Sequence, residues 1–129
     1  MKIGVPKEIK NNEFRVSLTP HSVKSLTSNS HDVFVQSGAG ASIGFDDNQY
    51  IEAGAIILDA AEDVYKSSTL IVKVKEPMPS EFIYLNKSHT LFTYLHLAGD
   101  PSQAAALIAT GVTGIAYETV TSEDGSLPL

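Results

Sequence analysis

The chain has 129 residues, 43% of them hydrophobic and 19% charged, with a formal net charge of −6 and a pI near 5.0. Those values suit one globular domain with a real core and argue against nonspecific nucleic-acid binding, which needs a basic surface. No apolar run approaches the roughly 20 residues of a membrane span, the N-terminus lacks a signal-peptide core, and the absence of cysteine excludes disulfides and thiolate chemistry. A cytoplasmic location is the expectation.

Lys2 to Val5 reads as a first strand, stopped by Pro6. Lys7 to Ser17 is polar and has no clean period, so it is a loop. Thr19 and Pro20 signal a helix start, as N-cap and first helical residue, and Val23 and Leu26 give its apolar stripe as far as Ser28. Asn29 is expected to take the left-handed conformation that ends it. Asp32 to Gln36 is a second strand. The glycines of Ser37 to Gly44 follow it, but Gly44 lies four residues after Gly40 where a dinucleotide fingerprint requires three, so a plain turn is the expectation.

Asp46 or Asp47 caps a short helix through Ala53, and Gly54 ends it. Ile56 to Leu58 is a strand, Ala60 to Tyr65 a helix, and Leu70 to Val74 a strand whose apolar run is interrupted only by Lys73. Ser80 and Glu81 open a short helix toward Leu85. Thr90 starts a strand whose apolar part runs from Leu91 to Leu95, with His96 at its end. Asp100 caps an alanine-rich helix from Pro101 to Ala109, with Gly111 beyond it, and Thr113 to Tyr117 is the last strand. Such alternation predicts an α/β fold: a Rossmann-like or flavodoxin-like parallel sheet with helices on both faces, one domain over residues 1–129. Leu127 and Leu129 have nothing after them to pack against, which reads as a cut end.

Ligands of open parallel sheets bind at the carboxyl ends of the strands. Arg15 follows the first strand, Lys75 the fourth and His96 the fifth. An arginine fork can bind a carboxylate, a lysine can polarise a carbonyl oxygen, and a histidine can move a proton near neutral pH. Together they suit a small 2-oxo or 2-amino acid. Each also has an ordinary reading: Arg15 as a partner of Glu8 or Glu13, Lys75 as an exposed strand end, His96 as a cap. Lys73 either buries its stem to reach a carboxylate or belongs to the site. Tyr94 is expected mainly to fill the core, and Glu118 to be a structural or ligand-adjacent carboxylate. His21, His31 and His89 lack metal-ligand spacing, so no metal is expected.

The stretches Gly4-Val5-Pro6-Lys7-Glu8, Asn11-Asn12-Glu13-Phe14-Arg15-Val16 and Thr19-Pro20 resemble the opening signature shared by alanine dehydrogenases and proton-translocating transhydrogenases. Lys73-Val74-Lys75-Glu76-Pro77 and Thr93-Tyr94-Leu95-His96-Leu97-Ala98 resemble the alanine dehydrogenase branch; the transhydrogenase branch is not expected to carry counterparts of Lys75 and His96. Gly111 to Val120 continues the likeness. The resemblance implies that Arg15 and Lys75 bind the pyruvate or alanine substrate, that Lys75 and His96 are catalytic with His96 the acid/base, and that the reaction is NAD-dependent deamination of L-alanine to pyruvate and ammonia. It implies a homo-oligomer, commonly a hexamer, with no nucleic-acid or membrane partner.

Phe14 and Ser30 depart from the pattern, which expects a small or polar residue and a glycine. No dinucleotide loop and no counterpart of the family's catalytic aspartate is present, so NAD is expected to bind mainly to a separate domain, with no cofactor-binding residue here. The chain thus reads as an N-terminal, substrate-binding part, inactive alone. The alternatives are the matching domain of a transhydrogenase or saccharopine-type dehydrogenase, or a non-catalytic module for small carboxylates or assembly.

Overall fold

A computed structural model describes residues 1–128; Leu129 lies outside them, and Leu127 is exposed. The strands are β1 (Lys2–Val5), β2 (Asp32–Gln36), β3 (Ile56–Leu58), β4 (Leu70–Val72), β5 (Thr90–Thr93) and β6 (Thr113–Ala116). They form one sheet in the order β3-β2-β1-β4-β5-β6, with every pairing parallel. That is the Rossmann order and not the flavodoxin one. The helices are α1 (Pro20–Ser28), α2 (Asp47–Glu52), α3 (Ala61–Ser67) and α4 (Pro101–Thr110). The winding runs outward from β1 to β3 and then returns across β1 to β4. The switch point of the sheet is therefore the β1/β4 boundary.

Alternation along the strands sorts the core into two layers. Ile3, Val5, Val33, Val35 and Val72 share one face and pack with Val23 of α1 and Tyr50 of α2. Ile71 and Leu91 share the other and pack with Tyr65 of α3 and Leu107 of α4. Gly4 points to this second face, where a Cβ would lie 2.5 Å from Ser68 Oγ at the end of α3. The helix can approach β1 only because this side chain is missing. Ile115 of β6 is 45% exposed, so the core thins toward that edge.

Local chemistry sets the boundaries. Thr19 Oγ1 accepts the Ser22 N–H at 3.2 Å. Asp46, rather than Asp47, caps α2 through a reciprocal box with Gln49. Asp100 accepts the N–H groups of Ser102 and Gln103. The end of α1 differs from expectation. Asn29 has φ −97°, and Ser30, at φ 62°, takes the left-handed position. The Ser30 and His31 N–H groups then reach back to the carbonyls of Thr27 and Leu26, a Schellman arrangement that needs the turn one residue beyond the cap. β4 stops at Val72 instead of Val74, and β5 at Thr93 instead of Leu95, because both strand ends turn to meet side chains from other loops. The segment from Pro79 to Tyr84 forms a 3₁₀ helix.

Candidate functional site

The switch point is closed by the chain's own β1–α1 loop. Glu8 Oε1 accepts the Val74 N–H at 2.7 Å, Ser17 Oγ donates to the Val72 carbonyl at 2.7 Å, and Lys10 pairs with Glu76. These contacts tie the loop that carries Arg15 to the end of β4 that carries Lys75.

Beneath this seam lies a charged interior. Lys73 is fully buried, and its ammonium lies 3.2 Å from Glu8 Oε2 and 2.9 Å from Glu81 Oε1. The Tyr65 hydroxyl donates to Glu81 Oε1 at 3.0 Å, and Glu81 Oε2 accepts the Met78 N–H. Burial pushes the Glu8 carboxyl up, against the opposing pull of Lys73 and the Val74 N–H. Burial and the Glu81 carboxylate also push the Tyr65 hydroxyl far up. Lys73 is therefore the buried partner of two carboxylates and belongs to the frame rather than to the rim.

Above the seam, the strand ends present an open rim. The Lys75 ammonium sits 5.9 Å above the centre of the Tyr94 ring and forms no ion pair among the described residues. The His96 ring lies 6.1 Å from the Tyr94 ring, tilted 32° to it. Tyr94 itself packs edge-on against Tyr117 at 5.1 Å. Arg15 projects from the loop, 59% exposed, with Nε and Nη2 donating to the two oxygens of Glu13 at 2.8 and 2.7 Å. These bonds pull the Glu13 carboxyl down to about 2, with a smaller contribution from the Lys75 charge. The side-on edge of the guanidinium is thus occupied, while its outer end faces solvent.

His96 has φ 51° and ψ 32°, a left-handed backbone that non-glycine residues rarely adopt. Glu118 lies against this turn. Its Oε1 accepts the His96 N–H at 2.8 Å and the Leu95 N–H at 3.0 Å. Burial raises the Glu118 carboxyl, but these N–H groups, its own N–H and the His96 charge outweigh that and leave it below the usual range. A cavity of about 350 Å³ opens beside this turn, lined by residues that include His96, Gly99, Ala116 and Glu118.

The glycine loop after β2 is not a phosphate cradle. The Gly38 N–H donates to Asp47 Oδ1 at 2.8 Å, and Ser37 Oγ donates to Oδ2. A carboxylate of the chain already occupies the place an anion would take. His89 is a core histidine. Its Nε2 meets the Tyr65 carbonyl at 3.0 Å, and its Nδ1 accepts the Asn86 N–H. Among the described residues, no cluster of three or more His, Asp or Glu is placed to hold a metal ion. None of their helices is long and apolar enough to cross a membrane.

Residues 4–129 match the family described as "Alanine dehydrogenase/PNT, N-terminal domain". The chain belongs to this family. It is 54% identical over 129 residues to the alanine dehydrogenase of Bacillus subtilis and 50% identical to that of Methanococcus maripaludis, covering all of this chain and 34% and 35% of those relatives. It therefore spans about a third of the length of the curated relatives it matches. A solved L-alanine dehydrogenase superposes with a TM-score of 0.96 at 49% identity, over 99% of this chain and 35% of the other. A transhydrogenase from Sinorhizobium meliloti superposes with a TM-score of 0.84 at 29% identity, over 92% and 35%. Both branches named from the sequence share the fold, and the alanine dehydrogenase branch is the nearer in sequence.

Within this family domain, Lys75 and His96 are both drawn to the Tyr94 ring. Arg15 stands on the β1–α1 loop that is tied to the end of β4. Sequence reading undervalued Tyr94, whose ring is the common wall of the rim. Its position two residues before His96 was the available signal. Glu118 grips the backbone of the β5 end rather than facing a ligand, and no pattern in the sequence announces such a contact.

Proposed function

We propose that this chain is the N-terminal, substrate-binding part of an NAD-dependent L-alanine dehydrogenase, which converts L-alanine, NAD and water to pyruvate, ammonia and NADH. The observation that carries the reading is the rim itself: an ammonium with no ion-pair partner among the described residues and an imidazole, both about 6 Å from one tyrosine ring, with an arginine on the adjoining loop. The outer end of the Arg15 guanidinium binds the substrate carboxylate, for which a planar fork is suited. Lys75 faces the carbonyl or amino-bearing carbon and stabilises negative charge on oxygen as it develops. His96 takes or returns the proton of the intermediate's hydroxyl or amine. Tyr94 gives both of the last two groups a common aromatic neighbour.

NAD supplies the hydride acceptor. The residues of this chain do not fit its phosphates, since Asp47 fills the glycine loop and the β1–α1 loop fills the switch point. The nucleotide is accordingly assigned to the part of the relatives this chain does not span. A cytoplasmic enzyme and a homo-oligomer, commonly a hexamer, complete the proposal. Ile83 and Ile108, each 79% exposed, offer apolar surface for assembly.

The test is NADH formation from L-alanine and NAD, with this chain alone and then fused to a relative's remaining sequence. Silence from the first and activity from the second is the expected result. No NADH from L-alanine in either case, with hydride exchange between nucleotides that survives replacement of both Lys75 and His96, would favour the transhydrogenase branch. Pyruvate binding without activity in the fusion would favour a carboxylate-binding module.

A further inference from the structure

We infer that Glu118 is a positioning residue that sets the aim of His96 by holding its backbone in the left-handed turn. The inference rests on the proposed acid/base role of His96. His96 is at φ 51° although it has a Cβ, and it is neither preceded nor followed by a residue that favours such a turn by itself. A left-handed non-glycine residue persists only where its surroundings over-determine it. The side chain that takes up the N–H groups of the turn is one carboxylate. Glu118 Oε1 receives both the His96 and Leu95 N–H groups, and Oε2 approaches the Leu95 N–H at 3.2 Å.

The two N–H groups converge because the turn curls the backbone around the oxygen, the arrangement of an anion-binding nest. Glu118 is in turn fixed by the short 3₁₀ segment Tyr117–Thr119 that ends β6. Nearby, Gln103 of α4 donates to the Leu95 carbonyl at 3.1 Å, so the same turn is gripped from both sides. If the turn relaxed to negative φ, the imidazole would swing away from its place beside Tyr94, 6.1 Å off, and from the cavity it lines. The Leu97–Gly99 3₁₀ turn that follows adds a local bond from the Gly99 N–H to the His96 carbonyl.

The geometry separates this role from an effect of charge. Glutamine keeps a carbonyl oxygen where Oε1 stands but has no charge. Aspartate keeps the charge but is one methylene too short to reach both N–H groups. The experiment measures L-alanine oxidation by the full-length dehydrogenase with Glu118→Gln, Glu118→Asp and Glu118→Ala, alongside His96→Ala. The expected pattern is a loss of about tenfold or more in kcat for the Asp and Ala variants, with KM for L-alanine within about threefold. The Gln variant is expected to stay within about threefold of the parent in both. Formate, which can occupy the emptied nest, should restore part of the Ala variant's kcat.

Parent-like kcat in the Asp and Ala variants would overturn the inference. So would an impaired Gln variant beside a parent-like Asp variant, since charge rather than backbone contact would then matter. If the Ala variant does not fold, the Gln and Asp pair decides by itself. Parent-like turnover by His96→Ala would instead remove the acid/base reading on which the inference stands.

Discussion

Two lysines separated by one residue end up in opposite chemical worlds. Lys73 lies in a dry interior, its charge matched by Glu8 and Glu81. Lys75 lies at the open rim, near an aromatic face and without an ion-pair partner among the described residues. The interior group is saturated and cannot serve a ligand. The rim group has donors to spare. The contrast shows how one strand end can supply a rigid footing and a reactive surface at once: the loop that carries Arg15 is anchored by the buried lysine's partner Glu8, and the half-buried Lys75 stands at the rim on a fixed base.

The contrast is broken most forcefully by Lys73→Met. It leaves two buried carboxylates without their counter-charge, a change expected to cost about 3–5 kcal/mol. Urea unfolding reads this directly, and an unchanged midpoint would mean that the interior network does not hold the seam. His96→Ala is expected to do the reverse. In the full-length enzyme kcat should fall by about 10²-fold, while the unfolding midpoint stays put because His96 packs into neither core layer. A smaller effect is expected from Arg15→Lys. The side chain keeps its charge but loses the planar fork, so KM for L-alanine should rise about tenfold with kcat little changed. A KM equal to the parent's would remove Arg15 from carboxylate binding.

The smallest effect sharpens the contrast through pH. Glu13, at the rim, has its carboxyl lowered to about 2 by Arg15. Its contribution is present above the ordinary carboxylate range and is lost as pH falls toward 2. Glu8, inside, has its carboxyl raised by burial. Its folded form favours the proton, so its contribution has the opposite sign and stability is lost as pH rises through that raised value. Glu13→Gln should therefore flatten the acid limb of a stability–pH curve measured by urea unfolding, and Glu8→Gln should flatten a loss at higher pH. Identical curves for the two variants would show that the interior and the rim are electrostatically alike.

Much of the frame was legible because it is written in local chemistry. Thr19-Pro20 and Asp100-Pro101 cap helices through bonds within three residues, and the alternation of apolar runs with helical stretches fixed the fold class. The exact strand order and the assignment of the two lysines were not. Lys73 and Lys75 share strand parity, and what separates them is Glu8, which is 65 residues away in sequence. Ser30 was noted as an odd replacement for glycine, yet the left-handed turn was expected at Asn29. Asparagine has the better intrinsic tendency, but its own N–H bonds the Leu26 carbonyl, and with Ser30 in the left-handed turn the Ser30 and His31 N–H groups reach Thr27 and Leu26. At the rim, the residue types of Arg15, Lys75 and His96 were visible. The αL backbone of His96 and the grip of Glu118 depend on a β6 end that no local pattern links to β5.

The central place of β1 governs how the chain can be made. Within this domain β1 is made before the strands that flank it, and β2 and then β3 can add on one side as they emerge. Its other edge stays open until Leu70 and Ile71 arrive to pair with Ile3 and Gly4. Until then the nascent chain carries a hydrogen-bonding strand edge with no neighbour, the kind of surface that recruits other strands. Closing it requires a long loop, which makes the step slow. The arrival of β4 is the event that ends that exposure.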